Sequence, residues 1–289
     1  MTTPTQTDNL RLRDAEGNEY QRASVLNGGA HMPINADFFT EVAKGNVPGH
    51  SLIHKFGAGL LTTDLKPITL STYFRTPIVG EDLEVLSSDA GDNPAGAGGH
   101  RVTIDGLVEG TWVREQEEVV LNGTTPVALT KKFVRVFSWY VSLSGTYATQ
   151  DVGSHLGTLT LRVAGGGDTW STISADPFPL GQSEVGLVTI PKGYTGFLYS
   201  KNVFVDTTKT ANVYFFQRSL ADDTIAPYTG TMRLFEKEIG VKGAFGLATA
   251  FPKGGFVGPC DIGFMGKVSQ GTADCSVEFE ILLVEDSYL

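Results

Sequence analysis

The sequence predicts an all-β protein: a jelly-roll-like β-sandwich body, preceded by an extended N-terminal arm and a small mixed module. Three observations predict it. Beyond Arg101 the chain becomes a series of short runs with period-two or β-rich character. No amphipathic helix intervenes between them, which argues for stacked antiparallel sheets rather than strand–helix–strand units. The 35 glycines are scattered between the apolar runs, as expected of many turns rather than flexible linkers.

Residues 1–30 are polar, and only the short alternation Leu10, Leu12 suggests a strand, so an arm is expected there. Residues 31–100 read as the mixed module. Its helix has Asn35 as cap, Asp37 in the first turn, Phe38, Phe39 and Val42 as an apolar face and Gly45 as stop, giving two to three turns. Gly45–Gly59 reads as a loop leading into an extended piece, and Leu70–Pro77 as a strand closed by proline. Ser87–Gly99 (SSDAGDNPAGAGG) carries no large apolar group and is expected to be a linker that contributes nothing to a core.

Residues 101–289 form the sandwich body. Its strands are expected at 102–107, 117–121, 133–143, 157–163, 184–190, 195–205, 211–218, 231–237, 260–268 and 276–284. Asn122-Gly123 favours a type I′ turn, Pro191-Lys192-Gly193 suits a turn between strands, and Gln270-Gly271 separates the last two. In the final strand Val277, Phe279, Ile281 and Leu283 share one face, while Ser276, Glu278 and Glu280 share the other. A split of the body into two sandwiches is placed near Asp176–Gly181. No repeat of solenoid or propeller length is present.

The formal net charge is −10, so the surface as a whole repels phosphate backbones and direct nucleic-acid binding is not expected. No apolar stretch approaches the length of a membrane-spanning helix, and the polar N-terminus lacks the apolar centre of a secretory signal. Cys260 and Cys275 are too few for a zinc site alone; buried thiols and a disulfide both stay open.

No residues read as catalytic, cofactor-binding or metal-ligating. His50 and His54 have metal-ligand spacing only if helical, and Pro48-Gly49 and Gly57 argue against a helix. No GxSxG elbow occurs, and the runs Gly96–Gly99 and Gly165–Gly167 lack the context of a phosphate loop. Glu115, Glu117 and Glu118, with Asp222 and Asp223, read as solvated strand ends rather than a calcium or glycosidase site. In the aromatic run, Phe133, Arg135, Phe137 and Trp139 are expected on one face and Val134, Val136, Ser138 and Tyr140 on the other. A strand buried on both sides accounts for this better than a ligand platform.

Four segments carry a resemblance: HSLIHKFG (50–57), VTIDGLVEG (102–110), VVLNGTTPV (119–127) and QSEVGLVTIPKGYTGFLYS (182–200). On these the chain resembles a family of virion structural proteins of tailed bacteriophages, particularly those of marine bacteria. The resemblance implies a β-rich particle component, loosely a head-decoration, tail or fibre protein located in the virion. It transfers no catalytic residue.

The expectation is therefore a non-enzymatic protein without cofactor or metal, whose partners are copies of itself and other virion proteins, with no membrane. Leu10, Leu12, Phe38 and Phe39 are the expected assembly contacts. The alternative is a carbohydrate-binding sandwich used as a receptor-binding module, with Trp112, Trp139 and Trp170 as its glycan platform.

Overall fold

A computed structural model describes residues 12–13, 19–20, 23–25, 31–33, 38–69, 74–145, 153–176, 179–223 and 232–289, the side chains of 12–33 and 247–253 excepted. The chain divides into two compact units, Met1–Leu52 and Ile53–Leu289.

In the first unit β1 (Leu12–Arg13) pairs antiparallel with β2 (Glu19–Tyr20), and β3 (Ala23–Val25) with β4 (His31–Pro33). The described parts of residues 1–30 thus fold back in short pairs instead of running as an extended arm. Gly17-Asn18 and Asn27-Gly28-Gly29 separate the paired strands in sequence, and such residues favour chain reversal. Helix α1 spans Phe38–Ala43, shorter than the two to three turns expected. Gly45, at φ +76°, ends it by donating its N–H to the Val42 carbonyl at 2.9 Å. Asn35 and Asp37 lie outside the described residues.

The second unit is all β. Its strands are β5 (His50–Leu61, entering from the first unit), β6 (Lys66–Pro67), β7 (Leu83–Ser87), β8 (Gly99–Val108), β9 (Arg114–Val120), β10 (Val127–Ala128), β11 (Phe133–Ser144) and β12 (Leu159–Val163). They continue as β13 (Thr169–Ile173), β14 (Leu187–Ile190), β15 (Tyr194–Val205), β16 (Ala211–Ser219), β17 (Met232–Val241), β18 (Gly243–Val257), β19 (Cys260–Val268) and β20 (Ala273–Glu285).

Two pairs of sheets share two cores. Sheets β10-β7-β12-β13 and β11-β8-β9 enclose Leu83, Val85, Ile104, Phe133, Trp139, Leu161 and Trp170. Sheets β14-β19-β16-β17 and β18-β15-β20-β5 enclose a second core built on Phe215, Phe256, Phe264 and Phe279. Phe215 meets Phe264 edge to face at 4.9 Å, the arrangement the ring quadrupoles favour. In this second sandwich the chain passes from one sheet to the other at nearly every connection. Pro191-Lys192-Gly193 and Gln270-Gly271 are such crossings, with Gly193 and Gly271 at positive φ. Asn122-Gly123 is also a crossing, not a hairpin turn, because β9 pairs with β8 and the following β10 with β7.

The expected module 31–100 is divided between the sheets, since β5 lies beside β20 and β7 beside β12. Ser87–Gly99 is no linker either: it is an ordered loop inside the first sandwich, closed around the fully buried Asp92. The Asp92 carboxylate accepts the backbone N–H groups of Gly99 (2.7 Å), Leu156 and Gly157 (both 2.9 Å) and the Ser87 hydroxyl. A loop without apolar groups is held by a polar centre, because buried amides must find acceptors. Of the expected strand Leu70–Pro77, residues 74–77 are not in a strand and 70–73 lie outside the described residues.

Strand β11 touches both cores. Phe133, Val136 and Trp139 pack in the first, while Val134 and Phe137 pack in the second. The simple alternation expected there fails because register shifts between Phe133 and Arg135 and between Val136 and Ser138 reset which face each residue meets. Arg135 thereby enters the seam between the sandwiches, where its guanidinium meets Asp261 of β19.

Candidate functional surfaces

The seam is built from charge. Asp261 accepts Arg135 Nε–H at 2.9 Å, Arg218 Nε–H at 2.9 Å and the Thr189 hydroxyl at 2.6 Å, all out of solvent. Burial alone would raise the Asp261 pKa, but the two guanidiniums and the hydroxyl outweigh it and hold the carboxyl below its ordinary range. Nearby, Lys55 of β5 donates to the Phe137 carbonyl, and Asp105 binds Arg114 through two oxygens at 2.9 and 2.6 Å. This network fixes one sandwich against the other.

The expected glycan platform is overturned by burial. Trp112, Trp139 and Trp170 are 6%, 0% and 4% exposed. Trp139 Nε1–H donates to Ser171 Oγ at 3.0 Å, and Trp170 Nε1–H to Glu81 Oε2 at 2.7 Å, so both rings and both donors are committed inside the first sandwich. Trp112, at φ +55°, lies under the Arg135 guanidinium, 5.1 Å from ring centroid to Cζ.

Of the expected assembly contacts, Leu10 and the Leu12 side chain lie outside the described residues. Phe38 and Phe39 are half-buried and meet edge to face at 5.3 Å; Phe38 also packs on the His50 ring. His50 and His54 sit on a strand, where spacing of four residues separates side chains by roughly 13 Å instead of converging them. Among the described residues no group of three or more metal-ligating side chains occurs, and no helix is long and apolar enough to cross a membrane.

Glu115, Glu117 and Glu118 are engaged by Lys131, by the Thr130 and Lys131 backbone and by Arg101. Cys260 and Cys275 are unbonded thiols in the second core, pushed up to about 12 by burial. Ser154 Oγ lies 3.0 Å from His155 Nδ1, but Ser154 also meets the Pro179 carbonyl and His155 Nε2 the Ser174 carbonyl.

Two surfaces went unread in the sequence. The first is the edge formed by β17 and β18, joined through Lys242 alone and each last in its sheet. Leu234 and Ile239 of β17 are 51% and 59% exposed, and Phe245 and Val257 of β18 are exposed as well. Buried Lys201 of β15 ties this edge together by binding Glu236 and Glu238 and lying 5.7 Å from the Phe245 ring centroid. Pro252, Gly254 and Gly255 hide β18 in the sequence; proline is tolerated there because an edge strand has backbone groups that pair with nothing.

The second is a groove of about 440 Å³ on the outer face of β18-β15-β20-β5. Ala58, Ala244, Gly246 and Ser276 leave it shallow, and Phe56, Phe204, Glu184, Asn202 and Glu278 stand around it. Alternation on β20 puts Ser276, Glu278 and Glu280 on this face, as the sequence indicated. His54 lies between Glu278 (3.7 Å) and Glu280 (3.9 Å). Gly57, beneath the groove, has no room for a side chain: a Cβ would lie 2.1 Å from the Gly186 nitrogen.

No protein-family model matches this chain, and no curated protein matches it. Among solved structures, a structure of infectious bursal disease virus Gt strain is 11% identical over 88% of this chain and 79% of that one, with a TM-score of 0.23. T=1 particles derived from infectious bursal virus give 12% identity, coverage of 83% and 70%, and a TM-score of 0.23. The VP2 subviral particle of infectious bursal disease virus gives 12%, coverage of 87% and 79%, and 0.20. Superpositions this loose carry no argument about fold or function.

Proposed function

We propose that this chain is a non-enzymatic structural component of a virus particle, acting by assembly with copies of itself and with other virion proteins. The observation that carries the assembly reading is the β17–β18 edge. A ten-residue edge strand that leaves Leu234 and Ile239 more than half exposed is a ready template for another chain. The locked seam between the sandwiches supports it, because a rigid body can join a lattice without paying for internal ordering. The net charge of −10 disfavours direct contact with packaged nucleic acid.

The segments resembling tailed-phage virion proteins fall on β5, β8, the β9–β10 crossing and the β14–β15 crossing, all scaffold positions. On that resemblance the finer reading is head decoration or a tail or fibre component. The test is the molar mass of the full chain by light scattering, compared with Leu234→Lys/Ile239→Lys and with a chain lacking residues 1–30. A defined oligomer that the double substitution weakens supports the reading. A monomer at all concentrations, or an oligomer indifferent to both changes, overturns it.

A further inference from the structure

The groove on β18-β15-β20-β5 is a surface that the assembly reading does not require. Its volume falls in the range of small-molecule sites. Two aromatic rings, Phe56 and Phe204, stand over a floor kept low by Gly246, where a Cβ would come within 2.5 Å of Asn202 Oδ1. Phe204 is 44% exposed and lines the groove, so its ring is open to a ligand.

The polar groups around the rings are of mixed sense. Glu184 and Glu278 only accept when ionised, Asn202 donates and accepts, and the Ser276 hydroxyl does both. Asn202 Nδ2 is 3.4 Å from Glu278 Oε2, and Ser200 Oγ donates to Glu280 Oε2 at 3.0 Å, which orients the carboxylates along the face. Glu184 differs from its neighbours. Its carboxylate is half-buried, has no hydrogen-bond partner among the described residues, and is pushed up by that burial. A partly desolvated acceptor with no donor supplied by the protein is a place for a donor supplied by a ligand.

We propose that this groove binds a neutral carbohydrate, with Phe56 and Phe204 receiving the apolar face of a sugar ring and Glu184, Asn202, Ser276 and Glu278 exchanging hydrogen bonds with its hydroxyls. Sugar hydroxyls donate and accept, matching the mixed set, whereas an organic cation would use only the acceptors. Acidic sugars are disfavoured by the carboxylates. None of the three buried tryptophans lines the site.

The test is saturation-transfer NMR on the full-length chain with D-glucose, D-galactose, N-acetylglucosamine, lactose and maltose, run beside choline and spermidine. Saturation of at least one neutral sugar is expected, with affinity reduced at least about tenfold in Phe204→Ala and in Glu184→Ala. Leu234→Lys, on the β17 edge, is expected to leave sugar binding unchanged, which separates this site from assembly. No transfer to any of the sugars, transfer to the cations alone, or equal transfer in wild type and both groove variants would overturn the proposal. Circular dichroism of each variant confirms that a loss is not unfolding.

Discussion

Arg135 and Asp261 meet across the seam at 2.9 Å, a strand of one sandwich bound to a strand of the other with both side chains removed from water. Arg218 shares the same carboxylate, so two guanidiniums rest on one anion. The excess positive charge is spread over carbonyls: Arg135 also donates to those of Pro77, Val134 and Ala221. Such an arrangement stabilises little relative to a hydrophobic replacement, yet breaking it from one side is costly.

Asp261→Asn is therefore expected to lower stability by roughly 3–5 kcal/mol, because it leaves two buried guanidiniums without their anion. Urea unfolding followed by tryptophan fluorescence measures it. The three tryptophans lie in the first sandwich or at the seam and Asp261 in the second, so a shifted tryptophan transition also reports coupling between the two. A midpoint within error of wild type would show that the seam does not hold the body together.

Asp92→Ala is expected to cost about 3 kcal/mol, since the amides of Gly99, Leu156 and Gly157 lose their acceptor inside the fold. Hydrogen exchange is the sharper readout. The three amides should lose protection together while β16 and β19 keep theirs, and residues 88–98 should become a site of limited proteolysis. Unchanged protection at Gly157 would mean that water replaces the carboxylate without loss.

Burial of Trp112, Trp139 and Trp170 predicts blue-shifted emission that acrylamide quenches weakly and sugars leave unaltered. A sugar-induced change in tryptophan emission would restore the tryptophans as candidates and count against the Phe204 groove. Substituting Trp139 by Phe should remove the Ser171 hydrogen bond and destabilise the first sandwich by roughly 1–2 kcal/mol, without effect on ligand binding.

Much of the body was legible because its strands alternate. Each of the ten strands expected beyond residue 101 overlaps one in the structure, since period two with one wet face leaves a clear trace, as in Val277, Phe279 and Ile281. What stayed hidden was either closely packed or at an edge. In β5, Gly57 and Gly59 look like loop residues, but they are required where backbone meets backbone. No strand is expected over β18 in the sequence, where Pro252, Gly254 and Gly255 interrupt any alternation. The polar loop around Asp92 looked like a linker because composition reports apolar content and not the hydrogen bonds a single carboxylate gathers. Trp112, Trp139 and Trp170 looked like a platform because aromatic identity does not tell a core from a binding face. The groove was half visible: Glu278 and Glu280 were placed on the wet face, but Phe204 and Glu184 come to it from distant segments.

Lys55 gives the fold a pH dependence with a definite sign. Its ammonium is buried between the sandwiches with the Phe137 carbonyl as its hydrogen-bond partner, and its pKa falls to about 7. Burial is the main cause; Asp105 opposes the fall and Arg114 adds to it. Below about pH 7 the amine is charged in both folded and unfolded chains, so the folded state carries the full cost of burying that charge. As the pH rises toward the ordinary lysine value of 10.5, the folded chain sheds its proton first, the unfolded chain binds more protons, and stability increases. The gain from about pH 7 to about pH 9 should be near 2 kcal/mol. Toward the top of that range Cys260 and Cys275 begin to oppose it, because their buried thiols stay protonated while those of the unfolded chain, with an ordinary value of 9.0, ionise. Urea midpoints measured across this interval should rise in the wild type and fail to rise in Lys55→Met, which keeps the volume and removes the charge. If Lys55→Met rises as steeply as the wild type, the proton released on folding belongs to another group and Lys55 keeps its charge in the folded chain.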